Sequence, residues 1–538
     1  MRGRSTGKPH ISRPCRVRGA VFITALLFAC GTFAGPMATP GQPGQPLTLS
    51  ATDYEARVYA AWIGQIIGNI YGLSYEFRFI EDAGPDDFPY GYGPALDRAR
   101  ELGGAFSDDD TDIEYMYLLQ MEQHGIEPTY AQLAAAWKHH VRDRVWVANR
   151  SALALMHAGY GPPVTGSRDY NPNWFHIDPQ LVNEIWAVTA PGMVDYAVDK
   201  SAWAARITSD GFGIEPTLLY AAMYAAAFFE KDIDRLLDIG VDALPAGGRY
   251  AAVVAHMREL HERYPRDWRR ARAEMAGTYY GEFDYNRGAW PVVDAVLNGA
   301  AGILALLYGG GDFQRTLDLA CGMGFDADNQ AATLSGLLGI VHGLEGIPEA
   351  LLYPLGGRET GLPFNDRYVN VSRHDLPDAS IRDIARRTAA VGREVILAGG
   401  GERTTNDGAT FYNRPFDDRP VINFYGYRWA EPQDIRTLVF NPGMPEEWGG
   451  WFTTLAVHYD DGYGNWVPAE LQAVEPPLNF ANDQWLKGAY IDHALRIAPV
   501  RTRAVRIIGD AGGIHRDERN GGGREFYTAI SELAVYPD

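Results

Sequence analysis

The chain has little cysteine, fewer basic than acidic residues and a single long apolar run. The first two features each exclude a class of protein. Only 3 of its 538 residues are cysteines, which excludes a small fold held together by disulfides. Lys and Arg number 48 against 68 Asp and Glu, a net charge of −20, so we expect no nucleic-acid partner. With 46% hydrophobic residues, the chain is long enough for two or more domains with their own cores.

The apolar run lies at the N-terminus, at residues 20–30. Six basic residues and no acidic residue precede it, and it is too short to span a bilayer permanently. This pattern predicts a signal peptide over residues 1–34, hence a periplasmic or extracellular protein without an integral membrane segment in its mature form. Lipid attachment at Cys30 is an alternative. Cleavage after Ala34 would leave Cys321 as the one cysteine, and we expect it to be a buried apolar filler.

Two regions of different periodicity follow a Pro- and Gly-rich spacer at residues 35–51. Residues 52–355 carry apolar side chains at intervals of three and four, which predicts an all-α domain. Residues 417–538 alternate apolar and polar side chains between Gly, Asn and Asp turns, which predicts an all-β sandwich. Residues 356–416, with one helical patch at 381–397, would connect the two domains.

Two acidic clusters stand directly before predicted helices, at residues 107–112 and 322–329. Free amides and the helix dipole stabilise carboxylates at a helix N-terminus, so two separate helix caps would explain both clusters. Crowded carboxylate oxygens also suit Mg²⁺ or Ca²⁺, and two helix starts can share one metal centre if their helices pack side by side. The spacing alone leaves both interpretations open.

Three ordered segments resemble motifs of the ADP-ribosylglycohydrolase family. Residues 68–76 resemble its first motif, residues 108–111 its second, and residues 324–329 with the later Ile347-Pro348 its third. The resemblance covers residues 52–355. It implies an all-α catalytic domain that hydrolyses the ribosyl linkage of an ADP-ribosylated or related ribosyl or glycosyl substrate.

The resemblance also implies two Mg²⁺ ions and a set of site residues. The implied metal ligands are Asp108, Asp109, Asp110, Asp326, Asp328 and Asn329. Glu76 and Asp109 would act in catalysis, where activated water attacks the anomeric carbon through an oxocarbenium-like state. The implied substrate contacts are Asn69, Gly166, Ser167 and Gly324. For Gly166 and Ser167 the match is weak, and a plain turn is the alternative.

Three departures from the family pattern keep other functions open. Asn69 stands where the family usually has Asp, Asp108 replaces Thr or Ser, and Ser209 replaces a His. One alternative is a metal-containing protein that binds ADP-ribose or a glycan without turnover. Another is a hydrolase of a different environmental glycoside.

The C-terminal region resembles discoidin-like, or coagulation-factor type C, jelly-roll sandwich modules. The segments that carry this resemblance are residues 449–455 and 526–536. It implies a carbohydrate ligand bound by loop aromatics, although core packing is the commoner fate of such side chains. The candidate side chains are Trp429, Trp448, Trp466 and Trp485.

Overall fold

The computed structural model describes most of the helical region and the paired strands of the β region. The described residues are 47–107, 109, 111–245, 247–281, 290–406, 409–414, 424–441, 451–460, 466–478, 491–509, 511–512 and 532–537. They all belong to the second of two units into which the chain divides, Pro40–Asp538. The first unit, Met1–Thr39, which includes the predicted signal peptide and Cys30, lies outside the described residues.

Helices dominate the chain from Ala51 to Ala398, as the spacing of apolar residues predicts. Several begin at a side chain that accepts a hydrogen bond from a backbone N–H of the first turn, among them Ser50, Asp312 and Ser380. The helices are α1 (Ala51–Gly72), α2 (Ala95–Leu102), α3 (Thr111–His124), α4 (Tyr130–His140), α5 (Val147–His157), α6 (Glu184–Val188), α7 (Val194–Ala205), α8 (Glu215–Ala227), α9 (Ile233–Asp242), α10 (Arg249–Arg263), α11 (Trp268–Tyr279), α12 (Ala295–Gly309), α13 (Phe313–Met323), α14 (Ala327–His342), α15 (Glu349–Leu352) and α16 (Ile381–Ala398).

α1 and α14 are antiparallel, and their backbones are in direct contact. A Cβ atom added to Gly68 would lie 2.2 Å from the carbonyl oxygen of Ala331. One added to Gly72 would lie 2.3 Å from the Cα of Asp328. Glycine therefore permits an approach that any side chain would block. The packing also brings the end of α1 beside the start of α14, where two of the sequence motifs lie.

The region expected as a connector completes the core of the helical domain. α16 packs against α1 and α3, and its Ile381 and Ile384 are fully buried in the same apolar cluster as the earlier helices. Strands β1 (Leu47–Ser50), β2 (Glu402–Asn406) and β3 (Ala409–Arg414) form an antiparallel sheet in the order β1-β3-β2, with Leu49 opposite Tyr412. No local pattern in the sequence indicates this small sheet.

The C-terminal region is an antiparallel β structure, as its alternation predicts. Its remaining strands are β4 (Phe424–Asn441), β5 (Trp451–Phe452), β6 (Ala456–Asp460), β7 (Trp466–Pro468), β8 (Leu471–Glu475), β9 (His493–Ile508), β10 (Ala511–Gly512) and β11 (Glu532–Pro537). One sheet has the order β11-β4-β9-β6-β7 with β8 also paired to β9, and β5 pairs with β10. Leu438, Val505 and Ile507 are fully buried in an apolar cluster of this region.

In the part of the chain that the structure describes, no helix combines the length and the apolar character needed to cross a bilayer.

Candidate functional site

Three carboxylates from two of the motifs converge where α1 ends and α14 begins. One oxygen from each of Glu76, Asp326 and Asp328 lies within 4.8 Å of the others. Asp326 is 8% exposed, Asp328 4% exposed and Glu76 half-buried. Like charges repel at such distances, and oxygen ligands gathered in this way are what a hard divalent cation prefers. The chemistry of these residues, here called the carboxylate cluster, therefore fits a divalent metal ion.

Tight turns place these carboxylates. Beyond α1 the chain turns, and the N–H of Glu76 donates to the carbonyl of Gly72 at 2.9 Å. The next N–H, of Phe77, donates to the carbonyl of Phe325 at 2.9 Å, which ties the two segments together one residue from Glu76 and one from Asp326. Gly324 has φ +81°, and a Cβ there would lie 1.8 Å from a carbonyl oxygen. The structure therefore gives Gly324 a backbone role beside the cluster, and its predicted substrate contact stays a prediction.

A buried arginine, which no sequence motif indicates, joins the same two segments. Arg272 of α11 is 1% exposed, and its guanidinium stacks over the ring of Phe325 at 4.5 Å. It donates hydrogen bonds to backbone carbonyls on both sides: Phe79 (2.8 Å), Ile80 (2.7 Å), Glu81 (3.1 Å) and Met323 (3.0 Å). Burial lowers the pKa of Arg272 to about 10, so it stays charged at neutral pH. One Arg among 48 basic residues offers no local sequence signal for this role.

Asp326 is also held from α12. Its N–H donates to Asn298 Oδ1 at 2.9 Å, while the Asn298 amide donates to the carbonyls of Val292 and Asp294 at 2.9 and 3.0 Å. Asn298 is fully buried. The start of α14 therefore has its backbone fixed by a side chain from a neighbouring helix, a second contact that the sequence analysis did not identify.

Asn329 faces a buried polar network. Its Oδ1 accepts hydrogen bonds from the side-chain amides of Gln180 (3.0 Å) and Gln330 (2.9 Å). Gln180 also donates to Thr333 at 3.3 Å, and Thr333 donates to the Glu184 carboxyl at 2.6 Å. The oxygen that the family resemblance offers to a metal is thus engaged by protein donors in this structure. The ligand role of Asn329 stays a prediction.

The second motif is described only in part. Asp108 and Asp110 lie outside the described residues, and Asp109 is half-buried just before α3. The helix start itself is held firmly: the N–H of Thr111 donates to Ser107 Oγ at 3.2 Å, and Asp112 pairs with Arg373 at 2.7 Å with both side chains fully buried. The metal and catalytic roles of this motif stay predictions.

The predicted substrate loop at residues 166–167 lies against the segment around Ser209, which departs from the family pattern. A Cβ on Gly166 would lie 2.4 Å from the carbonyl oxygen of Arg206 and 2.7 Å from the backbone N of Ser209. The Asn171 amide donates to the carbonyl of Thr208 at 2.9 Å. Ser167 is 5% exposed and Ser209 is 1% exposed. The segment that departs from the family pattern therefore packs on the predicted substrate loop.

Two other residues singled out from the sequence are buried in the helical core. Asn69 of α1 is 0% exposed. Cys321 is a free, buried cysteine. Burial, together with the charges of Asp318 and Asp328, raises the pKa of the Cys321 thiol well above its usual value, so the thiolate is disfavoured. The burial of Cys321 is that of an apolar filler.

Comparison with known proteins agrees with the sequence motifs. A family model described as ADP-ribosylglycohydrolase matches residues 50–378, more than half of the 538-residue chain. One similar solved structure is described as an ADP-ribosylglycohydrolase-related protein complex. It is 20% identical, the match covers 63% of this chain and 99% of that chain, and the TM-score is 0.38. No curated protein matches the chain.

Proposed function

Because the chain belongs to the ADP-ribosylglycohydrolase family over residues 50–378, we propose that it hydrolyses the ribosyl linkage of an ADP-ribosylated or related glycosyl substrate, dependent on Mg²⁺. The observation that carries the proposal is the convergence of Glu76, Asp326 and Asp328 within 4.8 Å. Family membership makes the chain a hydrolase candidate, and the carboxylate cluster supplies the residues for the reaction.

Asp326 and Asp328 would hold a divalent ion beside Glu76, and Asp108, Asp109 and Asp110, just before α3 in the sequence, would be further ligands. A bound Mg²⁺ would orient ribose hydroxyls and lower the pKa of water. The protein's own contribution is positional. Arg272 holds the backbone at Met323 and Asn298 holds the N–H of Asp326 itself, so the Asp326 carboxylate is preorganised for its ligand.

Glu76 is the residue best suited to accept a proton. It is half-buried beside Asp328, at the open side of a cluster whose other two members are nearly buried. A carboxylate in this position can take the proton of the attacking water, while the negative charge of the cluster favours an oxocarbenium-like state at the ribose. Asp109 is the alternative base.

Export and carbohydrate binding form the second part of the proposal. The basic and apolar N-terminal segment supports secretion, with lipid attachment at Cys30 as the alternative. The C-terminal β region would bind a carbohydrate in the manner of discoidin-like modules. Trp466 is half-buried with Arg506 stacked on its ring at 4.3 Å, and Trp429 is half-buried too. Trp448 and Trp485 lie outside the described residues.

The test is a substrate panel with matched variants. ADP-ribosylated peptides, ADP-ribose conjugates and nucleosides are incubated with the wild type, with Asp328→Asn and Glu76→Gln, and with Glu101→Gln as an exposed control. We expect Mg²⁺-dependent release of a ribosyl product, at least about 100-fold slower in both cluster variants and unchanged in the control. Tight ADP-ribose binding without product would favour the binding protein. Full activity of both cluster variants in a buffer that contains a metal chelator would refute the proposal.

A further inference from the structure

Three imidazoles and a carboxylate meet at the C-terminal end of α4, on residues that none of the three family motifs uses. His139 and His140 are the last residues of α4, and His374 and Asp375 lie in the loop before α16. The side chains of His139, His374 and Asp375 are 51%, 41% and 60% exposed, so an ion from solution can reach them.

The imidazoles of His139 and His374 both contact one carboxylate oxygen of Asp375. Asp375 Oδ2 lies 3.2 Å from His139 Nε2 and 3.1 Å from His374 Nε2. The ring centroids of His139 and His374 are 5.6 Å apart, and those of His139 and His140 are 4.7 Å apart. Two imidazole N–H groups bonded to a surface carboxylate would explain these contacts alone. The same three side chains also carry the donor atoms of a metal site, and their exposure leaves them free to rotate toward a shared ion.

The backbone around the cluster is fixed, as a metal site requires. The N–H of His374 donates to the carbonyl of His140 at 2.8 Å, and His140 Nδ1 contacts the carbonyl of His374 at 2.7 Å. A carbonyl can only accept, so Nδ1 is the protonated nitrogen of His140 and Nε2 carries the lone pair. Metal-bound histidines are commonly held by this kind of carbonyl contact. Asp375 itself has φ +52°, a left-handed backbone conformation that is uncommon for a residue other than glycine.

We propose that His139, His374 and Asp375 form a site for a divalent transition metal of the zinc class. Imidazole nitrogen with carboxylate oxygen suits Zn²⁺, whereas Mg²⁺ prefers oxygen alone. The site is independent of the proposed glycohydrolase reaction.

The site is connected to the second family motif through one residue. Arg373 directly precedes His374 in the sequence. It forms the fully buried ion pair with Asp112 in the first turn of α3. Its guanidinium also donates to the carbonyls of Asp143 and Arg144, just beyond α4, both at 3.1 Å. An ion bound at the imidazoles would therefore fasten α4 to the loop that holds α3, and raise the unfolding temperature.

The experiment is Zn²⁺ titration calorimetry on the full chain carrying Asp328→Asn, which weakens competing binding at the carboxylate cluster. In a second, parallel arm, the wild type saturated with Mg²⁺ is titrated with Zn²⁺ in the same way. We expect one Zn²⁺ ion bound in both arms. Changing His139 and His374 together to Ala should weaken its affinity at least tenfold, and His157→Ala, an exposed histidine at the end of α5, should not.

Co²⁺ serves as a spectroscopic probe of the same site. Imidazole coordination should give visible absorption bands that the histidine pair variant lacks and His157→Ala retains. The proposal is overturned if neither arm binds Zn²⁺, or if the pair variant binds it as tightly as its parent. Loss of hydrolysis in Asp328→Asn has no bearing on either result, so the two proposals fail separately.

Discussion

The guanidinium of Arg272 donates to four backbone carbonyls while it is 1% exposed, and these carbonyls belong to the segments that follow Glu76 and precede Asp326. Hydrogen bonds to a charged group are stronger than neutral ones, and buried acceptors without partners are costly. We infer that Arg272 sets the spacing of the carboxylate cluster from outside it.

Arg272→Met tests this role because methionine keeps the apolar stem and loses every donor. We expect the free energy of unfolding to fall by about 3 kcal/mol. Mg²⁺ affinity of the folded variant should fall at least about tenfold, since the segments beside the cluster are no longer tied. Urea unfolding and Mg²⁺ calorimetry measure the two effects.

Arg258→Met is the matched control, because that side chain is more exposed and its ion pair with Asp238 is on the surface. It should cost less than about 1 kcal/mol and leave Mg²⁺ affinity unchanged. Wild-type Mg²⁺ affinity in folded Arg272→Met would contradict a positioning role.

Glu114 and Glu184 are a buried pair of acids that bear on stability. Burial, then the charge of Glu184 and the hydrogen bond with it, raise the pKa of Glu114 well above its usual value. Burial also raises the pKa of Glu184. The folded chain therefore holds protons that the unfolded chain releases above its ordinary pKa, and stability falls as pH rises from that value through the folded pKa values.

Glu114→Gln removes one titrating member and keeps an oxygen for the N–H of Ile185, which Glu114 Oε1 accepts at 3.0 Å. We expect the variant's stability relative to wild type to increase as the pH rises above the ordinary pKa of a glutamate. Urea unfolding at several pH values gives the difference. Glu101→Gln, at an exposed position, is the control for the substitution itself, and a stability difference for Glu114→Gln that does not change with pH would exclude the shifted pair.

At the scale of elements, the contact between α1 and α14 depends on the absence of side chains. A Cβ at Gly68 would lie within 2.5 Å of three α14 backbone atoms, whereas one at Gly277 in α11 would meet nothing within 4 Å. The two glycines are both inside helices, so they differ in packing and not in backbone conformation.

Gly68→Ala should therefore destabilise the protein by about 1–3 kcal/mol through overpacking, and Gly277→Ala should stabilise it by about 0.5–1 kcal/mol through helix propensity. Thermal unfolding of both variants measures the effects. Equal behaviour of the two variants would mean that α1 and α14 are not in backbone contact.

Helices and strands with clear periodicity could be predicted from the sequence. The helical patch expected at 381–397 is observed as α16, Ile381–Ala398, and the alternation around Val505 and Ile507 lies in β9. The sheet of β1 with β2 and β3 could not be predicted, because it pairs Leu49 with Tyr412 across most of the chain and no local pattern reports such a pairing.

At the scale of the whole molecule, the sequence indicated the family and the segments that form its carboxylate cluster. The family resemblance pointed to Glu76, Asp326 and Asp328, because its motifs are short, local stretches of sequence. Arg272 and Asn298 could not be found in the same way, since they act on backbone atoms that are near only after folding. The substrate and the ligand of the β region also depend on contacts that no motif records.

Anomalous diffraction from crystals of the full chain grown with Mn²⁺ in place of Mg²⁺ tests the central claim most directly. We predict a peak bounded by Glu76, Asp326 and Asp328, about 2.1 Å from a carboxylate oxygen of Asp326 or Asp328, that is absent from Asp328→Asn crystals. Mn²⁺ bound only elsewhere on the molecule, with these three carboxylates free of any ion, would contradict the account.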